Sequence, residues 1–156
     1  MTGDPRRHEA RMLAVQALCV FDSIGDSFWP HLETFLSDAQ VQADLGLADA
    51  LPPEYVVFAR FLAEGAQRFR PQADELLGAA SAAWSVQRMT PVDRSILRLG
   101  VFELINRRDI TPAVAINEAI EMAHAFGGPS SAAFINGVLD GVRKRVISAG
   151  ISEPRP

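Results

Sequence analysis

Two groups of side chains in this sequence have the types and spacing to bind a polyanion. The first is Arg6-Arg7-His8 with Arg11, where Arg7 and Arg11 lie four residues apart and share a helix face. Guanidinium forks at that spacing suit two successive phosphates, or a phosphate and a base. Cations at a helix N-terminus oppose the macrodipole, so an arginine cluster there calls for a reason. A solvated, frayed terminus is the plain alternative. The second group is Phe126, the break Gly127-Gly128-Pro129, then Ser130-Ser131 and Phe134. Backbone N–H groups at a helix start can hold a phosphate, and an aromatic beside them can stack on an unpaired base. Both rings fit equally well as core anchors at a helix crossing.

Other patterns point away from catalysis. Glu121-Met122-Ala123-His124 is an E-x-x-H, half of a carboxylate-bridged di-metal motif, but no second copy exists in the chain. With Glu118 it reads as a solvated acidic face, so no metal site is expected. No glycine-rich phosphate loop, paired catalytic carboxylates or Ser/His/Asp set stands out, and neither catalytic residues nor a cofactor are predicted. Cys19 is the sole cysteine and sits in the apolar run Ala17–Phe21, which excludes an internal disulfide and suits a small buried hydrophobe. Arg98 and Glu103, on an otherwise apolar helix, read as buried polar pairing. Asp93 and Arg94, nearer its start, are expected to reach the surface.

The elements that position these residues are all helical, and an all-α fold of about seven helices is predicted. Helices are expected over about 6–21, 27–37, 53–69, 71–80, 91–106, 112–126 and 130 onward, opened by Pro, Ser, Thr or Asp and closed by Gly or Asn. The clearest start is Thr90-Pro91-Val92-Asp93, where Thr90 caps, Pro91 fits the first turn and Asp93 completes a capping box. The helix that follows is apolar most of the way round and is predicted to be central. Residues 38–52 are poorly patterned, with a short helical turn near Val41–Leu45. The halves are expected to meet near residues 81–90, giving one domain over 1–156 with an N-terminal half of about 1–80 and a C-terminal half of about 84–150. Ser152–Pro156 reads as a frayed tail.

Composition bounds the function. Of 156 residues, 48% are apolar and 22% charged, ordinary for a single soluble domain, and no stretch approaches the ~18 apolar residues of a membrane span. The N-terminus lacks a charged region leading into an apolar one, so a cytoplasmic protein is expected. Fifteen Lys+Arg against nineteen Asp+Glu give a net charge of −4, which argues against an indiscriminate polyanion binder. That sum conceals opposed stretches. Residues 22–54 carry seven acids and no Lys or Arg, while residues 88–108 carry Arg88, Arg94, Arg98, Arg107 and Arg108.

Longer strings are more specific. Val92-Asp93-Arg94-Ser95-Ile96-Leu97-Arg98-Leu99-Gly100-Val101-Phe102-Glu103-Leu104 precedes Asp109-Ile110-Thr111-Pro112. Val114-Ala115-Ile116-Asn117-Glu118-Ala119-Ile120-Glu121 and Phe134-Ile135-Asn136-Gly137-Val138-Leu139-Asp140 follow. These strings, with the opening Arg-x-x-x-Arg and Ala14-Val15-Gln16-Ala17-Leu18, closely resemble the NusB family of bacterial transcription antitermination factors. The likeness covers the first helix and nearly everything from residue 84; residues 22–80 match only in helical pattern.

The resemblance implies two small helical bundles and a non-enzymatic role. It implies pairing with NusE, a small-subunit ribosomal protein, binding to boxA-type single-stranded RNA in nascent, mainly ribosomal RNA transcripts, and joining an RNA polymerase elongation complex. Carried over by motif, Arg6, Arg7, His8 and Arg11 form the RNA-contacting segment. Phe126, Ser130 and Phe134 line the RNA side of the last two helices, and Asp93 faces the protein partner. The chain departs from the family at His8 and Glu9, where arginine is frequent, at Cys19, where an aromatic is common, and at His124, Gly128–Ser130 and Ala133. The thinned arginine segment leads to the expectation that RNA affinity leans heavily on the ribosomal protein. NusB-like proteins differ in oligomeric state, so a homodimer stays open. The alternative reading is an RNA-binding accessory domain of a ribosomal RNA methyltransferase; a metal-dependent helical oxidase is the third.

Overall fold

The computed structural model describes residues 4–47, 49–81 and 84–148, and every regular element among them is helical. The expected tail Ser152–Pro156 and the last two residues of the expected C-terminal half lie outside the described residues. Two compact units emerge, one reaching to Gln67 and the other starting at Arg68.

The first unit opens with α1 (Pro5–Ile24). Asp4 caps it by accepting a 2.9 Å hydrogen bond from the Arg6 amide, and Pro5 takes the first turn, where no N–H is needed. Gly25 ends it at φ 69°, a conformation that favours glycine. The single helix expected over 27–37 is instead a 3-10 segment, Gly25–His31, followed by short α2 (Leu32–Ser37), and Pro30 inside the 3-10 segment has no N–H to continue an α-helical ladder. Phe21 meets Phe28 edge-on at 4.9 Å, and Phe28 meets Phe35 at 5.4 Å, so aromatics cement this corner.

The poorly patterned stretch contains α3 (Ala39–Asp44), capped by Asp38. Its structure depends on a polar clamp. Buried Gln42 donates to the Leu36 carbonyl at 2.9 Å and accepts from the Leu51 amide at 2.8 Å. Helix α4 (Pro53–Arg68) then runs to the boundary.

The second unit holds α5 (Arg70–Ala80), a 3-10 turn at Val86–Arg88, α6 (Pro91–Asn106), α7 (Pro112–Phe126) and α8 (Ser131–Ser148). Every residue of α6 from Ser95 to Leu104 is buried, as expected of the central helix, and α5, α7 and α8 pack on it. A Cβ at Gly100 would lie 3.0 Å from Leu139 Cδ1, so glycine sets how closely α6 and α8 approach. Helix α5, expected in the first half, packs with α6 and α8. The reason is a polar bridge. Arg98, only 5% exposed, donates from Nε and Nη2 to the two carboxylate oxygens of Asp74 at 2.8 and 2.9 Å, and Phe69 packs edge-on against Phe102.

Candidate nucleic-acid interface

The expected arginine segment forms the first turns of α1, and its members divide. Arg6 donates to Glu9 Oε1 and to the Ala50 carbonyl, both at 2.6 Å. Arg11 is 3% exposed, with its guanidinium 5.6 Å from the centre of the Phe58 ring on α4. Arg7 is exposed and lies over the same ring at 4.5 Å, while His8 is half-buried. Cation–π contact with Phe58 thus supplies a structural reason for two cations at a helix N-terminus. The Tyr55 hydroxyl donates to Asp4 Oδ2, the carboxylate that caps α1. That hydrogen bond, with the Arg6 amide, holds the Asp4 carboxyl below its ordinary range and pushes the Tyr55 phenol above its own. Of the four predicted contacts, Arg7 alone combines an exposed side chain with a guanidinium beside an aromatic face.

The arginine-rich stretch 88–108 is largely consumed within the second unit. Arg94 does not extend into solvent as expected; half-buried, it donates to the Met89 carbonyl at 2.5 Å and so ties down the turn before α6. Arg98 is held by Asp74. Arg107, buried, donates to Glu103 at 2.9 Å and to both oxygens of Asp109 at 3.0 and 2.5 Å. Burial opposes the Arg107 charge, but the Asp109 hydrogen bond and the Glu103 and Asp109 charges outweigh it and raise its pKa. Only Arg88 and Arg108 of the five are exposed.

The other predicted residues converge more closely. Ser130, Ser131 and Phe134 at the start of α8 line a pocket of about 200 Å³ together with Asp93 and Thr90 at the start of α6 and with Trp84, Arg88 and Met89 before it. Gly127 lies close against the lining residue Ser131: a Cβ there would come 2.6 Å from Ser131 Cβ and 2.8 Å from the Ala123 carbonyl oxygen. Ser131 is fixed in turn by accepting from the Gly128 amide at 2.9 Å. Phe126, half-buried at the end of α7, does not line this pocket.

Asp93 is only half of the expected capping box. Its amide donates to Thr90 Oγ1 at 3.1 Å, but its own Oδ1 is buried without a hydrogen-bond partner among the described residues. An unpaired buried carboxylate oxygen is costly, and such groups gather where a ligand completes them.

The NusB family model matches residues 8–144. The chain belongs to the NusB family. It is 40% identical over 137 residues to the transcription antitermination protein NusB of Desulforapulum autotrophicum, covering 88% of this chain and 90% of that one. The crystallised NusB of T. maritima superposes with a TM-score of 0.70 at 29% identity, over 92% of this chain and 93% of that one. The fold also matches, at a TM-score of 0.72, 24% identity and coverage of 92% and 99%, a chain from a crystal structure of the antitermination factors NusB and NusE in complex with dsRNA.

In this NusB-family chain, Trp84 is a site residue that no sequence pattern singles out, and Arg88 is legible only as a member of the arginine-rich stretch 88–108. Trp84 is 47% exposed, and the Arg88 guanidinium lies 5.3 Å from its ring centre. Both fall in the stretch taken as a boundary between halves, where no helical period draws attention to a lone tryptophan. Beyond that basic stretch, the signal is the spacing of Trp84 and Arg88 four residues apart. Glu121 and His124 of the E-x-x-H are both exposed, Cys19 is half-buried, and among the described residues no three metal-ligating side chains gather. No described helix is long and apolar enough to cross a membrane.

Proposed function

We propose that this chain is an RNA-binding transcription antitermination factor that acts by binding rather than by catalysis. Together with the ribosomal protein NusE it binds boxA-type single-stranded RNA in nascent, mainly ribosomal RNA, transcripts and joins the RNA polymerase elongation complex. The observation that carries this reading is the match to the NusB family over nearly the whole chain. The fold shared with the NusB of a NusB–NusE–dsRNA complex supports it. Each unit offers its own contact. In the first, exposed Arg7 supplies a phosphate fork at the start of α1, with Arg6, His8 and buried Arg11 shaping that turn. In the second, Ser130 and Phe134 offer a hydroxyl and a ring at the start of α8, with Phe126 nearby in sequence. Asp93 supplies the negative charge that a basic ribosomal protein would meet.

Filter binding of boxA-type RNA, with and without NusE, tests this. The expected result is weak binding by the chain alone and a large gain with NusE. Arg7→Ala should flatten the salt dependence by about 0.7 in slope, one phosphate contact on a single strand. No binding in either arm overturns the function, and equal affinity in both arms overturns the dependence on NusE. Light scattering of the free chain and of its mixture with RNA reports whether a homodimer forms and whether RNA dissociates it.

A further inference from the structure

Resting on that RNA-binding reading, we propose that Trp84 and Arg88 form, with Phe134, a seat for one unpaired nucleotide: the base stacks on the Trp84 indole and its phosphate meets the Arg88 guanidinium. Three observations lead there. The Trp84 ring is 47% exposed with the Arg88 guanidinium already lying over it. An indole left this open forgoes burial that its apolar surface would favour, and a guanidinium parked on it is ready to swing to a phosphate.

The pocket beside the indole holds about 200 Å³, below the roughly 300 Å³ at which sites for whole small molecules begin, so it admits a single planar ring. Its second aromatic, Phe134, comes from a separate helix and gives the ring another apolar wall.

The charges set the direction of entry. Asp93 lines the pocket with its carboxylate, a charge that repels phosphate and suits a base N–H. Arg88 is exposed and attracts phosphate. A nucleotide satisfies both when its base enters and its backbone stays outside. A basic protein segment entering the pocket would meet Arg88 with like charge, so the seat itself favours RNA, and the ribosomal protein proposed to face Asp93 would meet it from the pocket's edge. Stacking of this kind is tolerant of base identity and suits single strands, whose bases are free to splay out.

The test uses the full chain with Trp29→Phe, which leaves Trp84 as the only tryptophan. Single-stranded boxA-type RNA is titrated with and without NusE while indole fluorescence is followed. Quenching that saturates together with RNA binding is expected. Trp84→Ala should weaken RNA binding roughly 5- to 150-fold, the loss of one stacked base, without altering the salt slope. Arg88→Ala should reduce the slope by about 0.7. Trp84→Phe should retain most of the affinity, and circular dichroism would show all variants folded, since both side chains are exposed. Wild-type affinity in Trp84→Ala, with RNA bound normally by the unaltered chain, overturns the seat alone. Quenching by NusE but not by RNA also overturns it and reassigns the pocket to the protein partner. Absence of RNA binding by the unaltered chain, with or without NusE, overturns both the seat and the function on which it rests.

Discussion

In the first unit the Arg7 guanidinium stands exposed against the face of Phe58, whereas in the second the guanidinium groups of Arg98 and Arg107 are sealed against carboxylates. Both stretches carry several arginines, but their surroundings differ. At the start of α1 the neighbours are an aromatic ring, a surface glutamate and a backbone carbonyl, so one cation of the cluster still faces water. Along α6 the helix is central and buried, so an arginine there must bring its own anion or remain uncompensated. Density of charge in a sequence therefore reports a binding surface only where the carrying helix keeps a face in solvent. The −4 net charge behaves likewise: several of its positive and negative members cancel inside the second unit and never form a surface patch.

The sharpest way to break this contrast is to unpair the buried side. Glu103 and Arg107 are both buried, and removing Glu103 strips Arg107 of its buried anion and leaves it only the exposed Asp109. Glu103→Ala should cost about 3 kcal/mol in urea unfolding, the lower end for a broken buried pair because Asp109 still holds the guanidinium. The double variant Glu103→Leu/Arg107→Met should recover much of that, because Asp109 is exposed and tolerates losing its partner. Equal destabilisation by the single and double variants would mean that the pair contributes through shape rather than charge.

A smaller effect is expected where the ion pair is only half sealed. Arg98 is buried but Asp74 keeps partial contact with solvent, so water can take over part of Asp74's role. Arg98→Ala should cost roughly 1.5–3 kcal/mol, as expected for charge-assisted hydrogen bonds. Arg98→Lys should restore little, because one ammonium cannot span both carboxylate oxygens. Full rescue by lysine would show that Asp74 needs only a nearby charge.

These bridges mark where the sequence stops being legible. Helix starts were readable because they are local: Thr90 accepts from the amide of Asp93 three residues on, and Pro91 sits in the first turn, where no N–H is needed. The central place of α6 was readable because its apolar positions surround the helix. The assignment of α5 to the second unit was not, since it depends on Asp74 meeting Arg98 across 24 positions of chain. Gln42 was illegible for the same reason, because a buried amide clamp has no period. At the candidate site, Ser130, Phe134 and Asp93 could be singled out from their strings, but their gathering around one pocket with Trp84 is a tertiary fact. The capping box that Asp93 was expected to complete is formed only on the Thr90 side: the Asp93 amide is capped, while its Oδ1 has no partner among the described residues.

A smaller, local loss is expected at the start of α6. Thr90 Oγ1 accepts from the Asp93 amide, and Asp93 Oδ1 returns no bond among the described residues. Thr90→Ala should therefore cost about 1 kcal/mol, and Thr90→Ser should leave stability nearly unchanged. A loss well above that would indicate that the capping interaction also supports the pocket, linking stability to the site.

The smallest expected effect lies on the exposed side of the contrast, at the turn that presents Arg7. Asp4 both caps α1 and accepts from Tyr55, and its carboxyl is held below the ordinary range. A depressed carboxyl contributes stability that is present above its unfolded-state value and lost as the pH falls through the lowered one. Protection of the first-turn amides of α1 from hydrogen exchange should therefore persist into mild acid and then fall, with little change in global unfolding. Tyr55 works from the other side: its raised phenol keeps the bond until the pH rises past the ordinary phenolic range and through the raised value, where the contribution disappears. Asp4→Asn retains a capping oxygen but removes the acid-side titration, so its first-turn protection should no longer decline with acid. If protection in that variant still falls at the same pH, another carboxyl controls the turn, and Glu9, which holds Arg6, becomes the group to replace.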